Sequence, residues 1–219
     1  MLTQLRAGDD VAEQLMRLAM ARARSGDMAG ARRDTTLALE KAEERRSPMM
    51  VSFARFGFGE LDRLEGDLIG ARRHFMAALE GLDRSPHGPR QVGAVVHTSL
   101  AHLDVAEDAF ASAETRLHTA LELAVSVRDM PIAAIVGVGL AELALARDDP
   151  QRAAVLLGAS VALRGAEDRS NIDAIRIAAG VAKALDPAVY DAAYARGLAL
   201  SREEVLGLLA ERSEHAVLS

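Results

Sequence analysis

The chain has 219 residues, half of them hydrophobic but only 3% aromatic, and a formal net charge of −6 at pH 7. Arginines alternate with acids along it, so the basic stripe that phosphate contact requires is missing, which argues against direct nucleic-acid binding by this segment. With no cysteine there is no disulfide framework and no thiolate metal site, a composition that fits the cytoplasm.

In chain order, Met1-Leu2-Thr3-Gln4-Leu5-Arg6 lacks the apolar core of a signal peptide. Apolar spacing then predicts helices over Asp10–Ser25 and Met28–Glu44, Pro48–Glu65 and Leu68–Leu82, Arg90–Glu107 and Phe110–Arg128, and Pro131–Arg147 and Pro150–Arg164. The pairs are divided by Arg46-Ser47-Pro48, by Ser85-Pro86-His87-Gly88-Pro89 and by Asp129-Met130-Pro131. Pro48, Pro131 and Pro150 stand in first turns, where a missing N–H costs no helical bond. The most apolar stretch, Met130 to Ala146, is interrupted by Pro131, Gly137, Gly139 and Glu142 and predicts a buried helix, not a membrane span.

A different pattern follows. A helix capped by Ser170 or Asn171 is predicted to run to Leu185, and a second spans Ala188–Arg196 and is broken by Gly197. Ser201-Arg202-Glu203-Glu204 has capping-box spacing and opens a last helix through about Glu211. No segment shows a strand period. The expected fold is all-α, with four helical hairpins over residues 1–165 and capping helices over 166–219 in the same domain.

The hairpins repeat. Gly26-Asp27-Met28-Ala29-Gly30-Ala31-Arg32 matches Gly66-Asp67-Leu68-Ile69-Gly70-Ala71-Arg72, and related turns precede Ala113 and Ala153. The aligned alanines Ala31, Ala71, Ala113 and Ala153 are separated by 40, 42 and 40 residues. Twelve residues earlier stand Ala19, Gly59, Ala101 and Ala141, each preceded by a larger residue: Leu18, Phe58, Leu100 and Leu140. After each anchor come Thr35, Phe75, Leu117 and Leu157, then Ala38, Ala78, Ala120 and Ser160. Small residues at fixed places let paired helices cross closely while larger ones fill the gap. A fixed period of this length means stacked helix pairs.

From Asp10 to Arg164 the pattern resembles the tetratricopeptide repeat, with a period about six residues longer than usual and without its consensus tryptophan, tyrosine and final proline. The resemblance implies a right-handed α-solenoid closed by the tail. In the tail, Ala153-Ala154-Val155-Leu156-Leu157-Gly158-Ala159, the run from Leu185 to Gly197, and Leu200-Ser201-Arg202-Glu203-Glu204-Val205 look like the C-terminal end of large bacterial SARP-type and MalT-like (LuxR-type, STAND ATPase) transcriptional regulators. That likeness implies a non-catalytic sensor region of a larger protein, receiving a protein, peptide or small-molecule inducer and acting on an ATPase module of the same parent chain. The alternative role is a scaffold that forms a homodimer through its convex face or its cap.

In tetratricopeptide arrays the first helix of each pair lines the concave groove. Carried onto this sequence, groove positions are Glu13, Met16, Met20 and Arg24, then Phe53, Phe56, Glu60 and Arg63, then Thr98 and His102, and finally Ile135, Val138 and Glu142. Two phenylalanines beside Glu60 and Arg63 suit a peptide with an apolar anchor and a charged flank, although aromatics at helical spacing equally suit a core. Met20, Glu60, His102 and Glu142 hold equivalent places. Successive repeats lie roughly 10 Å apart, too far for His102 and two glutamates to converge on zinc. His74, His87, His97, His118 and His215 show no ligand spacing. Gly57-Phe58-Gly59 and Gly137-Val138-Gly139 lack the Gly-Lys-Ser/Thr of a phosphate cradle. No nucleophile, base and orienter fall together. The expectation is therefore no enzyme, no cofactor and no metal.

Overall fold

The computed structural model describes residues 2–84 and 89–212, with residues 2–10 as backbone alone. The described residues form eleven α-helices: α1 (Leu2–Arg24), α2 (Met28–Glu44), α3 (Pro48–Glu65), α4 (Leu68–Asp83), α5 (Arg90–Ala106), α6 (Phe110–Ser126), α7 (Met130–Ala146), α8 (Pro150–Arg164), α9 (Ile172–Ala184), α10 (Pro187–Leu198) and α11 (Arg202–Ala210). The expected breaker over Ser85 to Gly88, with His87, and His215 lie outside the described residues. Two boundaries are corrected. Helix α1 runs on through Gly8, Asp9 and Asp10 instead of starting there, since the good helix formers Leu5, Arg6 and Ala7 before this stretch and Ala12 to Leu15 after it outweigh the roughly 1 kcal/mol cost of one glycine. Helix α10 likewise continues through Gly197, whose bare backbone is needed for packing.

Each hairpin turn follows one rule. A left-handed residue, Gly26 (φ 87°), Gly66 (φ 85°), Asp108 (φ 56°) or Asp148 (φ 62°), ends the first helix. The next N–H then reaches back to a carbonyl five residues earlier: Asp27 to Arg22 at 2.9 Å, Asp67 to Asp62 at 2.9 Å, Ala109 to Asp104 at 2.8 Å and Asp149 to Ala144 at 2.9 Å. In three of the four, an aspartate then caps the second helix. Asp27, Asp67 and Asp149 accept the N–H groups of Gly30, Gly70 and Arg152, each at 2.9 Å. Ala109 holds the third cap position and makes no side-chain bond.

The repeat positions are the core. Ala31, Ala71, Ala113 and Ala153 are fully buried, as are Phe75, Leu117, Ala38, Ala78 and Ala120. Phe75 lies where a side chain on Gly59 would be, 2.4 Å from an added Cβ. The larger residues that precede the small ones do not all fill gaps. Leu100 and Leu140 are buried, but Leu18 is 44% exposed and Phe58 is half-buried against His74.

The chain divides into two compact units, Met1–Val96 and His97–Ser219. In the first, α1 pairs with α2, α3 pairs with α4, and α3 also packs on α1 and α2. In the second, α7 packs on α6 and α8, while α8 carries the tail helices α9, α10 and α11. An ion pair recurs in both units with its polarity reversed. Arg32, next to anchor Ala31, pairs with Glu65 and with Asp62 at 2.7 Å. Glu114, next to anchor Ala113, pairs with Arg147 at 2.8 Å. Glu65 and Arg147 each lie 33 residues beyond their partner. Among the described residues no helix is long and apolar enough to cross a membrane.

Candidate functional site

The expected groove positions divide into three groups. Met16 and Thr98 are corrected to core: both are almost wholly buried. Met16 clusters with Ala38 and Ala54, and its methyl occupies the space beside Gly57, 2.2 Å from an added Cβ. Thr98 fills the space beside Gly139. Small residues on the facing helix draw these side chains inward.

The second group lies within the first unit. Phe53 and Phe56 are half-buried and stacked at 6.3 Å, and Phe56 contacts the buried Phe75 at 5.8 Å. Met20 and Phe53 pack on the Met16 cluster. Arg63 donates to Glu60 at 2.8 Å, both side chains being mostly covered. Arg24 is exposed and bonds the carbonyl of Met20 at 3.2 Å. The phenylalanines are thus the outer layer of a core, and a narrow apolar strip with one ion pair beside it remains.

The third group converges. His102 Nδ1 on α5 bonds Glu142 on α7, although the equivalence of their positions suggested separation. Glu142 also takes Arg176 of α9 at 2.5 Å, Arg176 reaches Asp173 at 3.2 Å, and Asp173 lies 3.9 Å from His102 Nε2. Burial pushes the Glu142 carboxyl up, but His102 and Arg176 outweigh it and hold the group below the usual carboxylate range. Burial opposes the charge of Arg176, and Glu142 and Asp173 raise its pKa in spite of it. His102 and Glu142 are each about 8% exposed. What the cluster does chemically is satisfy charges while joining α5, α7 and α9. No group of three His, Cys, Asp or Glu able to hold a metal occurs among the described residues.

On the neighbouring faces of α7 and α9 lies a cavity of about 430 Å³. Ile135 and Val138 of α7, Leu157 and Val161 of α8, Ile175 of α9, and Tyr190 and Tyr194 of α10 form its walls. Ile135 and Val138, expected groove positions, line this cavity instead, Val138 as a buried residue. The two tyrosines stack at 5.9 Å with an interplanar angle of 18°. Burial, then the nearby Asp191 and Glu167, raises the pKa of Tyr190, and burial and Glu167 do the same for Tyr194. Arg164, Glu167, Asp168, Arg169 and Asp191 stand around the mouth. A signal for this site exists in the sequence: tyrosines four apart on one helix face, in a chain with few aromatics. The wall itself needs α7, α8 and α10 brought together, which no single periodicity encodes.

The chain matches no family model, no curated protein and no solved structure.

Proposed function

We propose that the chain is a non-catalytic binding module, the sensing part of a bacterial transcriptional regulator of the SARP-type and MalT-like kind. In this reading the four hairpins are tetratricopeptide-like repeats of a right-handed α-solenoid in the cytoplasm, and α9–α11 are its cap. The observation that carries it is the apolar cavity where repeat helices α7 and α8 meet tail helices α9 and α10. Its volume falls in the range of sites that enclose a small organic molecule. A ligand there touches both repeat and tail, so its occupancy can alter how the tail docks, as an inducer must. The Phe53–Phe56 strip with Glu60 and Arg63 supplies a second surface, suited to a peptide or to a module of the same parent protein.

The test uses N-phenyl-1-naphthylamine, a neutral apolar dye whose emission rises on leaving water. The wild-type chain is expected to bind it saturably. Ala178→Trp, which fills the cavity from α9, should weaken binding at least tenfold, whereas Phe53→Ala should not. Equal binding to wild type and Ala178→Trp overturns the assignment.

A second reading, a scaffold that pairs two copies through its cap, is favoured by one feature. Ile175 is 56% exposed, with Ile172 and Leu198 also open to solvent. Light scattering on the full chain decides it: a dimer that Ile172→Glu dissociates supports the scaffold, and a monomer overturns it.

A further inference from the structure

Resting on that reading, we infer that the α7–α10 cavity takes a small amphiphile with an apolar body and a single ammonium group. The walls supply the apolar half of the match. Ile135, Val138 and Leu157 offer no polar atom to a ligand body, so they select by shape and apolarity.

The charges at the mouth decide the other half. Arg164 and Arg169 are outnumbered by Glu167, Asp168 and Asp191. Arg164 is held by Asp168 at 2.9 Å, and Asp168 also accepts from the Ser170 hydroxyl at 2.7 Å. The Arg169 side chain is 90% exposed and stands 3.5 Å from Glu167, an exposed pair of small energetic weight. The carboxylates of Glu167 and Asp191 therefore set the field at the tyrosines. Both line the cavity beside the tyrosines, and after burial their charges oppose ionisation of the Tyr190 hydroxyl, Glu167 acting on Tyr194 as well.

Two further features point the same way. The C-terminal end of α8, capped by left-handed Gly165 (φ 84°), opens at this mouth and contributes partial negative charge. At the opposing N-terminus of α9, Asn171 takes the N–H of Ala174 at 3.0 Å and Asp173 stands in the first turn, together offsetting the positive end of that helix. A stacked tyrosine pair flanked by carboxylates attracts a cation through ring quadrupoles and direct charge. An anionic ligand would face both carboxylates with only tethered or solvated arginines to help it.

The chain is its own reporter. It has two tyrosines, Tyr190 and Tyr194, and no tryptophan, so tyrosine emission reads this cavity alone. The full chain is titrated with 2-cyclohexylethylammonium, 2-cyclohexylethanol and 3-cyclohexylpropanoate, which are transparent at the tyrosine band and close in shape. The ammonium is expected to bind about tenfold tighter than the alcohol, and the carboxylate weakest. Glu167→Gln with Asp191→Asn, both at exposed positions, should erase that tenfold preference and bring ammonium binding to the level of the alcohol. Arg169→Gln should strengthen ammonium binding severalfold. If the alcohol or carboxylate matches the ammonium, or the double variant keeps the preference, the ammonium assignment falls while the binding module stands. If none of the three changes tyrosine emission and the apolar dye does not bind either, both fall.

Discussion

Gly158 and Gly197 press against each other's helices. A Cβ on Gly158 would lie 2.1 Å from the carbonyl oxygen of Tyr194, and one on Gly197 would lie 2.0 Å from that of Val155. Helices α8 and α10 therefore meet backbone to backbone, and the crossing places Tyr194 at the cavity. Because backbone cannot swing aside as a side-chain tip can, Gly197→Ala is expected to destabilise the second unit by about 3 kcal/mol. Gly207 has nothing within 4 Å of an added Cβ, so Gly207→Ala should stabilise by about 0.5–1 kcal/mol through helix propensity. Denaturant unfolding followed by circular dichroism checks both signs.

Among the second helices of the four hairpins, α6 alone has an N-cap residue, Ala109, that makes no side-chain bond. Ala109→Asp places there the residue that caps the other three second helices, and should add about 1 kcal/mol. A matched gain in unfolding midpoint without change in denaturant slope is the expected result. Asp67→Ala is the reverse experiment and should lose about as much.

The Glu114–Arg147 pair is mostly covered, at 9% and 20% side-chain exposure. Removing one partner strands a buried charge, so Glu114→Ala should cost about 3 kcal/mol. The exchange Glu114→Arg with Arg147→Glu reproduces the polarity of the Arg32–Glu65 link and should recover more than half of that loss. A double-mutant cycle measures the coupling directly.

Acidification should weaken the fold. Burial, then Arg212, lowers the pKa of His118 against the opposing pull of Glu114 and Glu122. Burial likewise lowers that of His74, with Asp62 opposing and Arg73, Arg32 and Arg55 adding to the effect. The unfolded chain takes up these protons near the ordinary value of 6.5, while the folded chain resists until lower pH. Stability is thus complete above that value and falls as pH drops towards each lowered pKa. Glu142, held below its ordinary range, adds a further loss in more acid solution. Unfolding curves between pH 7.5 and pH 5 (about 0.5 units apart) should show the decline, and His118→Gln with His74→Gln should flatten it.

The hairpins were legible because their causes are local. A left-handed residue, an aspartate cap and an alanine at a fixed offset each act within one turn, and Pro150–Arg164 ends where apolar spacing and Gly165 place it. What lay hidden depends on reach and on partners. His102 and Glu142 were placed by their helices, yet each side chain extends several ångströms and the two close the gap between them. Arg176 and Asp173 come from the tail, outside the repeat. Gly197 has the appearance of a breaker to any local rule, and only the carbonyl of Val155 explains why it sits inside α10.

Hairpins that share turn and anchor positions can dock on the wrong neighbour, a hazard for any chain built of repeats. The reversed ion pairs act against it. If the α2 surface met the end of α7, Arg32 would confront Arg147, and if α6 met the end of α3, Glu114 would confront Glu65. Each mismatch would set like charges together in a half-buried seam, so the reversed polarity disfavours exchanged junctions relative to the native ones.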